Sequence, residues 1–337
     1  MRSRITKIAI VLLSLVMAIS LCGCEPKGKS SLKKVKLNEV TRSVFYAPMY
    51  VAISEGYFED EGIELDISTG QGADKTMQQV LSGSVDIGFS GPEQVIYIYN
   101  QGREDYPKVF AQLTQKDGSF LISRQNEKDF KYESLKGKTI VGGRPGGVPE
   151  MSLEYVLKKH GLTPGKDVNI ITNIAFNATA GAFTGGTGDY VALFEPTGSM
   201  LEKEKKGYIV SSIGKEAGDI SYTTFYANQS YIKKNPEVIE SFTKAIYKGQ
   251  QFVEKSSDEE VAKAIIDFFP GSDLDVLTNV VKNYRNVEAF SKTPAVSKDN
   301  VDHLMDIIQD YDSTLIPTRP DFQDIVDTSF TDKIVKK

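Results

Sequence analysis

The chain has 337 residues, 40% hydrophobic and 25% charged, enough for two domains or one large bilobed body with a sizeable core. Two His, two Cys and no Trp exclude most His/Cys metal sites, disulfide scaffolds and thiol catalysis. A formal charge of −5 without a dense Lys/Arg block argues against nucleic acid as a partner.

The chain opens with Arg2, Arg4 and Lys7, followed by an apolar run from Ile8 to Leu21. A basic front before a short apolar core fits a secretory signal peptide and is shorter than the roughly 20 residues of a membrane span. The run ends in Leu21-Cys22-Gly23-Cys24, which resembles a bacterial lipobox; the resemblance implies cleavage after residue 23 and a lipid on Cys24. Removing residues 1–23 takes away three cations and no acid, so the mature chain is more acidic still. Residues 24–34 then read as the lipidated Cys and a polar, flexible tether (EPKGKSSLKK). Ten such residues reach at most about 33 Å, at roughly 3.3 Å each.

The body repeats itself. Its first half offers a strand over Val35–Val40, a helix near Pro48–Phe58, a strand over Ile63–Ile67, a helix ending at Leu81, and Ser82–Phe89 leading into Pro92. Its second half offers a strand over Thr139–Gly142, a Gly-rich loop, a helix near Pro149–His160, a strand over Val168–Thr172, and Gly185–Val191 leading into Pro196. Gly62 and Gly161, Gly83 and Gly186, Asp86 and Asp189, and Pro92 and Pro196 recur in order at a spacing of about 100 residues, too long for a solenoid. Strands alternating with helices predict mostly parallel sheets with helices on both faces, and such sheets hold ligands at the carboxyl ends of their strands. Two extended stretches, Val109–Arg124 and Ile209–Gln229, read as crossings between the lobes, and two crossings allow a cleft to close by hinge motion.

Beyond Asn235-Pro236 the pattern turns helical. Val238–Val253 is amphipathic, Ser257-Asp258 caps a helix over Glu260–Phe269, another follows Asp273, and one runs from Ser297 to about Tyr311. The expected division is therefore 35–124 for the first part of lobe 1, 125–222 for lobe 2, and 223–337 for a return crossing and C-terminal helices packing on lobe 1.

The stretch Arg42–Ile53 (RSVFYAPMYVAI) with Glu55–Ile63 (EGYFEDEGI) is similar to the opening of the substrate-binding proteins of ABC importers. The similarity is to the SsuA-like branch, which handles aliphatic sulfonates, taurine, nitrate and thiamine-pyrimidine precursors. Ser82–Pro92, Leu135-Lys136-Gly137-Lys138-Thr139, Gly142–Pro149 and Phe194-Glu195-Pro196 extend the resemblance over about residues 35–330. It implies a periplasmic-binding-protein type II-like fold: α/β, two doubly wound lobes joined by two crossover strands, with a helical C-terminus. It further implies a monomer that captures a small molecule and docks on a permease driven by a cytoplasmic ATPase. With the lipobox, it implies lipid anchoring at the extracytoplasmic membrane face of a Gram-positive cell.

Candidate ligand contacts are read from the strand-end loops. Ser43, Phe45 and Tyr46 precede a helix start, where free N–H groups and flat rings suit an organic ligand, although both rings could instead pack into the lobe. Gln71 lies at the next turn, where Asp74 reads as an N-cap. Ser90 and Gly91 form the third turn, with Glu93 as a first-turn acid complementing the helix dipole. In lobe 2, Gly143 and Arg144 sit in a glycine loop before Pro149, which reads as an anion cradle. It is not a nucleotide loop, because Tyr132 stands where the leading Gly of a Gly137-Lys138-Thr139 motif belongs. Asn173 and Asn177 could supply amides, Glu195 could point into the cleft, and Tyr226 could add a ring. Aromatic and amide groups beside a carboxylate favour a neutral or amine-bearing organic ligand, and no cofactor motif is present. The related fungal synthase of the thiamine pyrimidine relies on Cys- and His-bearing motifs, whereas the mature chain retains only Cys24, so the expectation is a binding protein and not an enzyme. A sensor docking on a membrane receptor would need the same cleft.

Overall fold

In the computed structural model, residues 32–335 are described; the signal segment, Cys24 and most of the tether lie outside them. The first strand, β1 (Lys33–Glu39), buries Val35 and Leu37 and pairs in parallel with β2 (Ile63–Thr69) and β3 (Ile87–Ser90). Lys33 and Lys34, read as the end of the tether, lie opposite Ile63 and Glu64 and belong to the sheet. The helix expected over 48–58 is two, α1 (Ala47–Ser54) and α2 (Tyr57–Asp60), because Gly56 between them takes a left-handed φ of 71°. Two more helices, α3 (Ala73–Leu81) and α4 (Glu93–Asn100), follow β2 and β3.

The sheet is completed by β4 (Pro107–Thr114) and by a strand from much later in the chain, β10 (Thr223–Asn228), in the order β2-β1-β3-β10-β4. A second sheet has the same plan, β7-β6-β8-β5-β9. Its strands are β5 (Ser119–Ser123), β6 (Thr139–Val141), β7 (Asn169–Ile171), β8 (Tyr190–Phe194) and β9 (Tyr208–Ser212). In each sheet three parallel strands come from the local half, and the fourth, antiparallel strand is delivered by a crossing. Neighbouring side chains in the second sheet face opposite ways. Leu121 and Ile140 fill one small core, Ile122 and Val141 another, as the two-residue strand period requires.

The repeat has a physical basis in Asp86 and Asp189. Asp86 accepts from Lys36 N at 2.8 Å, and Asp189 accepts from Thr139 N at 2.9 Å, so each carboxylate ties the turn before one parallel strand to its neighbour. The paired glycines match too: Gly62 and Gly161 take φ of 80° and 76°, and Gly83 and Gly186 take 71° and 107°.

The crossings are shorter than expected. The chain leaves the first sheet after Thr114 and enters the second at Ser119, so the segment up to Arg124 is not part of the first lobe. It returns from Ser212 through α8 (Ile213–Ala217) to Thr223, and Ile209 lies within β9 of the second sheet. Between these crossings are α5 (Val148–Lys159), α6 (Thr179–Thr184) and α7 (Thr197–Lys203).

The tail begins with α9 (Gln229–Lys234) and α10 (Pro236–Lys255), the latter packed on α1. Gly249 permits this approach, since a Cβ there would stand 2.1 Å from the Pro48 carbonyl oxygen. Ser257 and Glu260 form a reciprocal cap on α11 (Asp258–Ile265), which ends sooner than the expected Phe269. Next come α12 (Leu274–Asn286) and α13 (Lys298–Asp312), then the short α14 (Phe322–Ile325) and α15 (Ser329–Val335). Helix α12 touches α7, and α13 lies on α5 with Lys158 Nζ on the Asp310 carbonyl at 2.7 Å. The tail is thus shared between both sheets and does not pack on the first alone. Among the described residues, no helix is long and apolar enough to cross a membrane.

Candidate functional site

The carboxyl ends of equivalent strands face one another across a cavity of about 330 Å³. The first sheet contributes Val40 and Thr41 after β1, the loop from Gln71 after β2, and Gly91 with Glu93 after β3. The second contributes the glycine loop from Gly142 after β6, Ile174 to Phe176 after β7, and Ala192 and Phe194 of β8. Ser119, Tyr222 and Thr223, beside the two crossings, complete the wall.

Two contacts span the mouth. Arg144 Nε stands 3.8 Å from Asp74 Oδ1, both side chains about half exposed, so the pair joins the sheets with modest energy. The Tyr97 hydroxyl, on α4, donates to the Gly146 carbonyl at 3.0 Å. Asp74 is therefore a cleft residue in the first turn of α3, whose N-cap is Gly72.

Of the expected contacts, Tyr46, Gln71, Gly91, Gly143 and Arg144 line the cavity. Gln71 adopts a left-handed φ of 60° at the loop tip. Burial pushes the Tyr46 hydroxyl's pKa far up, and its ring meets Phe89 edge-on at 4.6 Å.

The others do not line it. Phe45 is fully buried among Phe194, Tyr222 and Tyr284, where an aromatic cluster supports the crossings. Ser43 accepts from Phe45 N at 3.2 Å and donates to the Glu195 carbonyl at 3.0 Å, stitching the two sheets beneath the cleft. Ser90 and Tyr226 are spent on each other, 2.7 Å apart and fully buried. Asn173 and Asn177 are exposed outside the cavity. Glu195 turns away from it: its carboxylate accepts from Ser199 N at 2.8 Å, Ser199 Oγ at 2.7 Å and Asn283 Nδ2 at 2.8 Å, capping α7. Burial raises its pKa, and those hydrogen bonds oppose the rise.

The glycine loop is not an open anion cradle. Gly143 N donates to Glu150 Oε2 at 2.7 Å, so the loop is wrapped around the protein's own carboxyl. Glu150 is fully buried with Oε1 unpartnered, and burial pushes its pKa up to about 8.

The acid on the cleft wall is Glu93, the first residue of α4, read from sequence only as a dipole-complementing side chain. It is 2% exposed; Oε1 accepts from Gln94 Nε2 at 3.2 Å, and Oε2 has no hydrogen-bond partner. Burial raises its pKa, with the charge of Arg144 pulling the other way. Lys75, Tyr222, Thr223, Phe194 and Phe176, the last lying between the expected Asn173 and Asn177, line the cleft as well. Within the crossing expected over Ile209–Gln229, Tyr222 and Thr223 reach the cleft and Tyr226, the expected ligand ring, does not.

Both histidines lie elsewhere. His160 stacks on Tyr132 at 4.1 Å beside Glu216, and His303 Nδ1 is 2.8 Å from the Asp219 carbonyl. No group of three His, Cys, Asp or Glu among the described residues could hold a metal ion. A second recess of similar volume, around Tyr99, Arg103 and Thr318, sits at the opposite end of α4 from Glu93, away from the facing strand ends.

A family model described as NMT1/THI5 like matches residues 44–260. The candidate binding protein YtlA of Bacillus subtilis is 43% identical over 324 residues, covering 96% of each chain. The 4-amino-5-hydroxymethyl-2-methylpyrimidine phosphate synthase of Saccharomyces cerevisiae is 23% identical over 75% of this chain and 80% of its own. Among solved structures, the alkanesulfonate-binding protein SsuA from Xanthomonas axonopodis pv. citri, bound to MOPS, superposes with a TM-score of 0.69. The match covers 88% of this chain and 98% of that one at 14% identity, which speaks to the fold.

Proposed function

The chain belongs to the NMT1/THI5-like family, and we propose that it is the extracytoplasmic solute-binding component of an ABC importer, capturing a small organic molecule between its two sheets and delivering it to a membrane permease. The observation that carries this reading is the cavity itself, walled by equivalent strand ends of two repeated sheets joined by two short crossings. That construction suits capture by closure. The similarity to YtlA supports a binding role.

The same observations favour binding over catalysis. Neither histidine reaches the cavity, and the sequence's two cysteines, Cys22 and Cys24, both sit at the predicted processing site. The related synthase relies on Cys- and His-bearing motifs, whereas the polar side chains on this cleft wall are Asp74, Lys75, Glu93 and Arg144 with neutral amides and hydroxyls. The proposal includes the anchor: a lipid on Cys24 would hold the body at the outer membrane face, and Cys24→Ser would release it from the membrane fraction.

The test is a thermal-shift screen of the chain from residue 24 carrying Cys24→Ser, against sulfonates, nitrate, pyrimidines, flavins and amines. Ligand at a hundred times its Kd should add about 2.7 kcal/mol of stability. We expect micromolar or tighter binding of a small molecule. Indifference to every small molecule, with tight binding to a protein instead, would refute the importer role.

A further inference from the structure

We propose that the captured solute is a flat organic molecule carrying an N–H donor, as an amine, amidine or amino-substituted ring, and that Glu93 Oε2 receives that hydrogen; the inference rests on the binding-protein reading above. A carboxylate oxygen buried without a donor is costly, and the cost is relieved when a ligand supplies the donor. Glu93 is the one such group on the cavity wall among the described residues: Oε1 is held by Gln94, and Oε2 is unpartnered.

The surrounding residues select for the same chemistry. Gly91, two residues before Glu93, lines the cavity, and a Cβ there would lie 1.9 Å from Glu93 Oε2, so the glycine makes room for the carboxylate. Two of the features that would greet an anion are already engaged, and the third, the exposed Lys75, has no ion pair among the described residues to hold it in place. Gly143 N is taken by Glu150, and Arg144 faces Asp74 across the mouth. A sulfonate or nitrate beside Glu93 would meet a buried acid in low dielectric, a larger effect than the exposed, solvent-screened Lys75 and the unpartnered Thr223 hydroxyl can offset. The opposite wall is aromatic: Phe176, 52% exposed, lies 5.8 Å from Phe194, and Phe194 lies 6.4 Å from Tyr222. Such faces suit a flat ring, and a cationic one more so.

The experiment uses matched probes on one ring, benzamidine and aniline against benzoate and benzenesulfonate, together with the amidines, amines, carboxylates and sulfonates of pyridine and naphthalene. Binding is read by calorimetry on the parent and on Glu93→Gln. We expect binding only among the amidines and amines, and an affinity about ten- to hundredfold weaker in Glu93→Gln, the weight of a charge-assisted hydrogen bond. The unliganded melting temperature of the variant should not fall, since it removes a buried charge. Preference for the carboxylates or sulfonates, or amidine binding unaltered by Glu93→Gln, overturns this inference and leaves the binding-protein reading in place. Silence of the whole panel overturns this inference, whereas the importer reading fails only if the broader metabolite screen is silent as well.

Discussion

A single exchange within the repeat decides where the cleft keeps its acid. Pro92 and Pro196 are equivalent, so Gly91 and Glu195 occupy matching positions in the two sheets. In the first sheet the position is empty, and Glu93 folds over it; in the second it carries Glu195, whose carboxylate turns back to cap α7 through Ser199. The sequence announces a carboxylate at each strand end without saying which side of the helix start it takes, because local hydrogen-bond competition with Ser199 and Asn283 settles that. Gly91→Ala tests the packing. The clashing atom is the end of a flexible side chain, so the variant should fold with a nearly unchanged melting temperature yet lose at least tenfold in affinity for whatever the parent captures, measured by calorimetry; normal affinity would mean that the position of Glu93 is immaterial. Glu150 gives a pH signature. Its folded pKa of about 8 exceeds the ordinary 4.5, so its stabilising contribution is complete below pH 4.5 and is lost as pH rises through 8. Asp117, pushed up to about 6 by burial, acts in the same direction at lower pH. Glu150→Gln, neutral throughout, should match the parent near pH 5 and melt a few degrees above it at pH 9. A gap that does not widen with pH would contradict this.

Among the elements, helices were legible where caps and periodicity agree. The Ser257 cap on α11 and the start of α13 at Ser297 lie where the sequence places them. The crossings were not legible, because β4 and β5 are buried on both faces and present near-continuous apolar runs with no alternation to mark an end. Gln115-Lys116-Asp117-Gly118 separates them, and Asp117 accepts from Ser119 N at 2.7 Å to turn the chain into the second sheet. The contact of α10 with α1 depends on Gly249 against the backbone of Pro48, which cannot yield as a side-chain tip can. Gly249→Ala should therefore cost about 1–3 kcal/mol, read by urea unfolding. It should also weaken capture, since α1 begins next to Tyr46. An unaltered midpoint would show that these helices part without cost.

Taken whole, the molecule is two copies of one β-α-β plan, and that duplication was the most legible feature because it recurs as residues with fixed roles: Asp86 and Asp189 tying strands, and Gly62 and Gly161 turning the backbone. Which groups face inward was much less legible, since it depends on how the two sheets meet. Ser43 reaching the Glu195 carbonyl, and Tyr284 donating to the Gly118 carbonyl while accepting from Glu195 N, belong to that meeting and leave no periodic trace. Capture is best tested by native mass spectrometry of the protein equilibrated with a small-molecule extract of cells. One nitrogen-bearing organic molecule should appear at one-to-one stoichiometry on the parent and be missing from Glu93→Gln. Capture of a sulfonate or nitrate, equal retention by the variant, or no bound small mass at all would contradict the account.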